Sequence, residues 1–173
     1  VRPTQDRVRQ VLFDILGVEI SWGPVLDLYA GSGALGIEAL SRGCPAAVFV
    51  ESGRGALAVL RRNLADLSAG ARGRVIARDV GQALRRLERE GARFRWILAD
   101  PPYGDPQVLE VLRWLGAASG RLLDPAGGLV LETRKNDRIE PEAGRLRRER
   151  VRQVGDTALH FFRPRPRTGE GDA

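Results

Sequence analysis

Apolar side chains recur along this chain in two alternating rhythms. Val8, Val11, Leu12, Ile15 and Leu16 occupy one helical face, which predicts a helix over residues 4–16 with Thr4 as its N-cap and Gly17 as its end. Val25 to Leu28 is a short apolar run suited to a buried strand; the tight turn Gly31-Ser32-Gly33 follows it, and then a helix from Ala34 to Leu40 ending at Arg42-Gly43. Ala46 to Val50 reads as a second buried strand running into Glu51, and Gly55 to Leu67 as a helix with Leu57, Leu60, Leu64 and Leu67 along one side. Arg74 to Ala77 predicts a third strand leading to Asp79, Val80 to Arg89 a helix, and Phe94 to Ala99 a fourth strand that runs straight into Asp100-Pro101-Pro102-Tyr103. A helix over roughly 106–115 and a fifth strand at Leu129 to Leu131, preceded by Gly127-Gly128, continue the rhythm.

Strands alternating with helices at this spacing predict an α/β fold with a mostly parallel sheet and helices on both faces. The ending departs from it. Arg145 to Val154 and Ala158 to Phe162 are extended runs joined by Gly155-Asp156-Thr157 with no helix between them, a hairpin appended to the parallel sheet. Residues 164–173 are rich in proline, glycine and charge and are expected to be a disordered tail. No internal repeat and no second domain is evident.

Composition narrows the classes. With 173 residues, 43% of them hydrophobic, the chain suits one domain with a real core. Its mean hydropathy is −0.24; no apolar run approaches the ~20 residues of a membrane span, and no signal-peptide pattern opens it. Cys44 is the single cysteine, which excludes an intrachain disulfide and a thiolate metal cluster and leaves a small buried thiol as its reading. These features set the expectation of a cytoplasmic protein; a monomer is the default, and no metal site is expected. The formal net charge of +6 points to a polyanionic partner, although Lys135 is the one lysine among 28 cationic side chains, an arginine skew that also suits a GC-rich genome. The sequence contains no methionine and opens on Val1-Arg2-Pro3-Thr4, which reads as a chain cut from a longer one.

Candidate chemistry gathers at the predicted strand ends. The spacing Gly31-x-Gly33-x-x-Gly36 lets backbone approach a ligand beside a helix N-terminus. Asp27, Glu51, Asp79 and Asp100 lie at or near the ends of successive strands, where open parallel sheets bind ligands. Tyr29, Ala30, Ser52 and Val80 flank these positions and are counted with the pocket. Asp79 alone also reads as a helix N-cap. Glu51 stands where a carboxylate can accept ribose hydroxyls, which suits NAD and S-adenosylmethionine equally. Asp100 to Tyr103 discriminates: a carboxylate and the Pro101 carbonyl can accept from an amino group, and Tyr103 can stack on a planar base. Thr4 and Arg7, near the start of the first helix, are further candidates to border the pocket. The basic residues around the hairpin, Arg134, Lys135, Arg147 and Arg150 foremost, with Arg138, Arg145, Arg148 and Arg152, alternate like a face that tracks phosphates. His160 reads as a packing residue. Three rivals fit parts of this set: an NAD-dependent oxidoreductase, a DNA amino-methyltransferase, and a non-catalytic RNA-binding assembly factor.

Asp27-x-x-Ala30-Gly31-Ser32-Gly33 followed by Asp100-Pro101-Pro102-Tyr103 resembles the S-adenosylmethionine-dependent amino-methyltransferases. Arg2-Pro3-Thr4-x-Asp6-Arg7-Val8-Arg9, Leu12-Phe13-Asp14-Ile15-Leu16, Gly33-x-Leu35-Gly36-x-Glu38-Ala39-Leu40-Ser41-Arg42-Gly43 and Gly155-Asp156-Thr157-Ala158-Leu159 narrow the resemblance to the bacterial 16S ribosomal RNA guanine-N2 methyltransferase family, over residues 1–163. The resemblance implies a seven-stranded Rossmann-like methyltransferase sheet with an antiparallel last strand. It also implies methyl transfer to a guanine N2 of small-subunit ribosomal RNA, as naked RNA or within the subunit. By the same resemblance, residues 25–90 form a cofactor half of one methyltransferase domain. There Gly31, Ser32 and Gly33 hold the methionine moiety, Glu51 the ribose, and Asp79 with the Val80 backbone the adenine. Residues 94–163 form a target-base half in which Asp100 to Tyr103 hold the guanine, while Thr4 and Arg7 match an additional N-terminal motif. Family members carry a short basic, glycine-containing segment ahead of Arg-Pro-Thr that this sequence does not include.

Overall fold

The computed structural model describes residues 3–68, 70–117 and 121–166; Val1, Arg2 and residues 167–173 of the expected tail lie outside the described residues. The chain opens with α1 (Pro3–Leu16), and a 3-10 turn (Gly17–Ser21) leads to β1 (Val25–Leu28) and α2 (Ala34–Ser41). β2 (Ala47–Glu51), α3 (Arg54–Ala65), β3 (Gly73–Ala77), α4 (Val80–Arg89), β4 (Phe94–Ala99) and α5 (Gln107–Ala117) follow. The chain ends in β5 (Leu123–Arg134), β6 (Glu142–Ala143), β7 (Leu146–Val154) and β8 (Thr157–Pro164). Thr4 lies inside the first turn of α1 rather than capping it, because the fixed φ of Pro3 already suits the first helical position. Leu67 falls beyond the end of α3.

The strands form one sheet in the order β3-β2-β1-β4-β5-β8-β7-β6. β3 to β5 are parallel, and β8 runs antiparallel between β5 and β7. The sheet is the expected mixed α/β architecture with an antiparallel last strand, but it has eight strands rather than seven. The additional one, β6, pairs only through Glu142–Arg147 and Ala143–Leu146 at the edge, too short to carry a period-two pattern. β5 is also longer than its apolar segment suggests. Its N-terminal part includes Gly128, where a Cβ would come within 2.3 Å of the Trp96 ring, so the strand reaches β4 only because that position is glycine.

Alternating side chains divide the core between the two faces. Leu26 and Leu28 face α4 and α5, packing with Leu84, Leu87, Leu112 and Leu115. Val25, Leu98 and Val130 face α1, meeting Val8, Leu12 and Leu16. Phe49 of β2 joins Leu60 and Leu64 of α3. Cys44 is buried with its thiol donating to the Ala46 carbonyl at 2.9 Å.

Register fixes what meets at the carboxyl edge. Leu28 pairs with Val50 on one side and with Ala99 on the other, and Ala99 pairs with Leu131. The segments leaving β1, β2, β4 and the last residues of β5 therefore stand side by side. The strand order changes direction between β1 and β4, the place where open α/β sheets leave a crevice.

Candidate active site

The crevice is a cavity of about 550 Å³ lined by Tyr29, Gly31, Glu51, Asp79, Asp100 and Tyr103 among others, within the range of small-molecule sites. Smaller cavities adjoin it. One of about 260 Å³ runs over Gly31, Ser32 and Ala34 toward α1, and one of about 170 Å³ lies beyond Pro101 to Asp105.

The glycine turn is built from below. Asp27 is 1% exposed, and its Oδ2 accepts the Gly36 N–H at 2.8 Å, one of the N–H groups that the first turn of α2 leaves without a helical partner. Burial pushes its carboxyl up to about 7, against the Gly36 bond and with help from the charges of Asp100 and Glu51. Asp27 thus positions the turn from beneath. Gly33 has φ +87, and a Cβ there would lie 2.4 Å from Leu60; at Gly36 a Cβ would lie 2.3 Å from the Phe49 ring. At Gly31, with φ +56, a Cβ would meet nothing within 4 Å, because this residue borders open cavity. The Ser32 carbonyl accepts from Asn63 Nδ2 at 2.9 Å, which ties the turn to α3.

Glu51 gathers backbone N–H groups from both sides of the crevice. Its Oε2 accepts from Gly31 at 2.8 Å, and its Oε1 accepts from Ser52 at 2.8 Å and Gly53 at 2.7 Å. Asp79 caps α4, its Oδ1 accepting from the Gln82 N–H at 2.9 Å, and it lines the cavity as well. One carboxylate thus caps the helix and stands at the cavity wall. Tyr29 follows β1 with φ 60, a backbone state that costs a non-glycine residue of order 1–3 kcal/mol. Its hydroxyl is buried with no hydrogen-bond partner among the described residues, and burial with the Asp105 charge pushes it up to about 12.

On the far wall, Pro101 is buried while Asp100, Pro102 and Tyr103 are exposed to the crevice or its rim. The Asp105 N–H closes the turn onto the Pro102 carbonyl at 3.1 Å, and Asp105 Oδ1 accepts from Gln107 at the start of α5. Tyr103 is 50% exposed; the Arg134 guanidinium stands 4.9 Å from its ring centre, and its hydroxyl lies 3.4 Å from Thr157 Oγ1. Although Asp100 opens onto the crevice, desolvation by the surrounding walls raises its carboxyl to about 6.

Three features depart from the sequence reading. Gln5 and Arg9 of α1 border the crevice rather than Thr4 and Arg7. Gln5 and Arg9 are one helical turn apart on the face beside Val8, whereas Arg7 is exposed on another face, and the Thr4 methyl faces Gly155. The arginine alternation in β7 is broken by a bulge between Arg148 and Arg150. Arg148 turns inward to the Ile139 carbonyl and His160, while Lys135 pairs with Asp156 at 2.7 Å. Arg134 stands over Tyr103 at the crevice rim, whereas Lys135 is engaged at the hairpin turn, and Arg147 and Arg150 pair with Arg163 and Phe161, further along the hairpin. Finally, Glu132 of β5 borders all three cavities. Its only sequence signal is its place one residue beyond the apolar run of the fifth strand. His160 is buried and bonded to Thr133 at 3.0 Å, a packing role.

The chain and its fold have relatives among known proteins. The family described as conserved hypothetical protein 95 matches residues 1–163. The ribosomal RNA small subunit methyltransferase D of Escherichia coli (strain K12) is 35% identical over 175 residues, covering 100% of this chain and 84% of that protein. A conserved hypothetical protein of Streptococcus pyogenes superposes with a TM-score of 0.80 at 32% identity, covering 89% of this chain and 93% of its own. A SAM-dependent methyltransferase of Agrobacterium tumefaciens, 20% identical, shares the fold with a TM-score of 0.67 over 96% of this chain and 63% of that one.

Proposed function

Because this chain belongs to the conserved hypothetical protein 95 family, with the ribosomal RNA small subunit methyltransferase D of Escherichia coli among its relatives, we propose that it is an S-adenosylmethionine-dependent methyltransferase of ribosomal RNA, acting on the exocyclic N2 of a guanine in 16S RNA. One observation carries the reading. Gly31 and Ser32 of the glycine turn, the Glu51 carboxylate and the loop Asp100 to Tyr103 border one continuous crevice. The family relationship supports methylation of ribosomal RNA; the choice of guanine N2 rests on the acceptor loop and on the resemblance in sequence. A protein doing this work belongs in the cytoplasm with its ribosomal substrate.

The residues present fit the cofactor. A Cβ-free wall at Gly31 admits a ligand against the backbone, and Glu51 offers a carboxylate already fixed by three N–H donors. Residues 25–90 hold the cofactor: Gly31 to Gly33 at the methionine part, Glu51 and Ser52 at the ribose, Asp79 and Val80 at the base. Residues 94–163 present the guanine. When bound, S-adenosylmethionine supplies a methyl group activated by its sulfonium charge. The protein must orient the acceptor nitrogen in line with it, since proximity and alignment supply several kcal/mol. Asp100 and the Pro101 carbonyl accept the N2–H bonds, which favours a pyramidal nitrogen and stabilises the positive charge developing on it. Tyr103 stacks on the base after it leaves its helix.

Calorimetric titration with S-adenosylmethionine and, in parallel, NAD tests the cofactor. Binding of the first alone, abolished by Glu51→Ala, is expected; binding of NAD alone would return the oxidoreductase reading. Asp100→Ala is expected to abolish methylation of small-subunit particles while cofactor binding persists.

A further inference from the structure

Glu132 has no part in the reading above, yet it borders every compartment of the crevice. Ala99 and Leu131 are register partners in neighbouring parallel strands, so Asp100 and Glu132, one residue further along each, emerge side by side on the same sheet face. No hydrogen bond or ion pair holds the Glu132 carboxylate among the described residues. No group of three His, Cys, Asp or Glu side chains at metal-binding geometry occurs among the described residues either. A proton or a cationic ligand is what remains to neutralise two adjacent carboxyls.

We propose, on the methyltransferase reading, that Glu132 is a catalytic residue whose carboxylate takes the proton that the guanine N2 must lose. N2 bonds to the methyl carbon as the methyl–sulfur bond breaks, with its electron pair passing to sulfur. The positive charge moves from sulfur to nitrogen. The neutral Pro101 carbonyl cannot keep the hydrogen it orients, so that N2–H bond breaks, its electrons stay on nitrogen, and the proton passes to a Glu132 oxygen while the other hydrogen stays on Asp100. The products are a neutral thioether, a neutral methylated amine and a neutral carboxylic acid, which returns its proton to water when the site opens.

Asp100 already accepts an N2–H bond in this reading, which leaves Glu132 beside it as the free carboxyl. Burial raises both carboxyls and the Asp100 charge raises Glu132 further, so the adjacent pair holds a proton in the free protein. The charged groups that line the same cavities are Asp27 from β1, Glu51 from β2, Arg78 and Asp79 between β3 and α4, Asp105 from the loop before α5, and Arg9 from α1, itself paired with Asp6. Beyond β5 stand Arg134, Asp137 and Arg138. His160 of β8 is held neutral by burial and Arg148. A bound sulfonium tips this balance, ionising Glu132 before transfer, and loss of that charge during transfer makes Glu132 basic when a proton must be accepted.

The test measures protons rather than turnover. S-adenosylmethionine and S-adenosylhomocysteine carry the same amino and carboxyl groups and differ in the sulfonium. Titration calorimetry at pH 7 in buffers of different ionisation enthalpy counts the protons released with each. We expect about one more proton released by the sulfonium ligand than by the thioether, and the difference to vanish in Glu132→Gln, with both ligands still bound and the melting profile kept. Single-turnover methylation by this variant should fall at least tenfold and lose the pH dependence seen in the wild type. Equal proton release by the two ligands, or a difference that survives Glu132→Gln, overturns the proposal. Failure to bind either ligand instead overturns the cofactor reading on which it rests.

Discussion

Asp27 Oδ2 accepts the Gly36 N–H at 2.8 Å from a position 1% exposed to solvent, so a carboxylate inside the sheet holds the first turn of the helix above the glycine loop. The bond gives an anion at a helix N-terminus, a favourable placement, yet burial outweighs it and leaves the carboxyl near 7. The folded protein therefore holds this proton more tightly than the unfolded chain. The stabilisation is complete below pH about 4 and is lost as the pH rises through about 7. Asp27→Asn can still accept from Gly36 but does not ionise. Denaturant unfolding at pH 5 and pH 8 should show a smaller loss of stability between the two for Asp27→Asn than for the wild type; an unchanged slope would remove Asp27 from this role.

On the acid side the sign reverses. Burial and Arg148 hold His160 down to about 4, below its unfolded value near 6.5. Its contribution is present above pH 6.5 and is lost as the pH falls toward 4, because the unfolded chain takes up the proton first. His160→Gln, which can keep a hydrogen bond to Thr133, should unfold with a flatter pH dependence between 6.5 and 4 in the same assay.

The glycines of the turn divide by what a methyl group would strike. At Gly36 it would press on Phe49, which is fully buried, and at Gly33 on Leu60; overpacking of this kind costs about 1–3 kcal/mol. At Gly31 it would meet no protein atom but would stand against the crevice, with a left-handed backbone cost of about 1–2 kcal/mol. Gly36→Ala should therefore lower stability more than Gly31→Ala, whereas Gly31→Ala should give the larger loss of cofactor affinity relative to its loss of stability. Thermal melts paired with calorimetry separate the two.

This division explains what was readable in the sequence. The bounds of α4 and β4 follow from their apolar periods because both are packed along their whole length. Asp27, Glu51, Asp79 and Asp100 could be placed at one edge because parallel strands in register bring their ends together. Glu132 and β6 were not readable. Glu132 differs from any polar residue after an apolar run until the Ala99–Leu131 register sets it beside Asp100. β6 has two residues and depends on the close approach of Gly116, where a Cβ would lie 1.9 Å from the Ala143 carbonyl. The position of α1 across the crevice is likewise tertiary: its period identified the buried face, but only packing on β1, β4 and β8 turned Gln5 and Arg9 toward the cavity.

Arg134 and Tyr103 supply a prediction about RNA. With its guanidinium 4.9 Å from the ring centre, Arg134 covers one face of Tyr103, the face a base would use if it entered from that side. A stacked base contributes about 1–3 kcal/mol in single-stranded recognition, more than the ~0.5–1 kcal/mol of an exposed cation–π contact. An incoming nucleotide can therefore displace the guanidinium, which is then free to meet phosphate. Tyr103→Phe keeps the ring and should retain most activity, whereas Tyr103→Ala should lose roughly 5- to 150-fold in kcat/KM for RNA with unchanged binding of S-adenosylmethionine. Arg134→Ala should weaken RNA binding chiefly at low salt and lower the salt slope by about one charge. Methylation kinetics beside cofactor calorimetry read the tyrosine variants, and filter binding of RNA across a salt series reads Arg134→Ala. If Tyr103→Ala methylated as well as the wild type, Tyr103 would be a surface tyrosine covered by an arginine and the base would enter elsewhere.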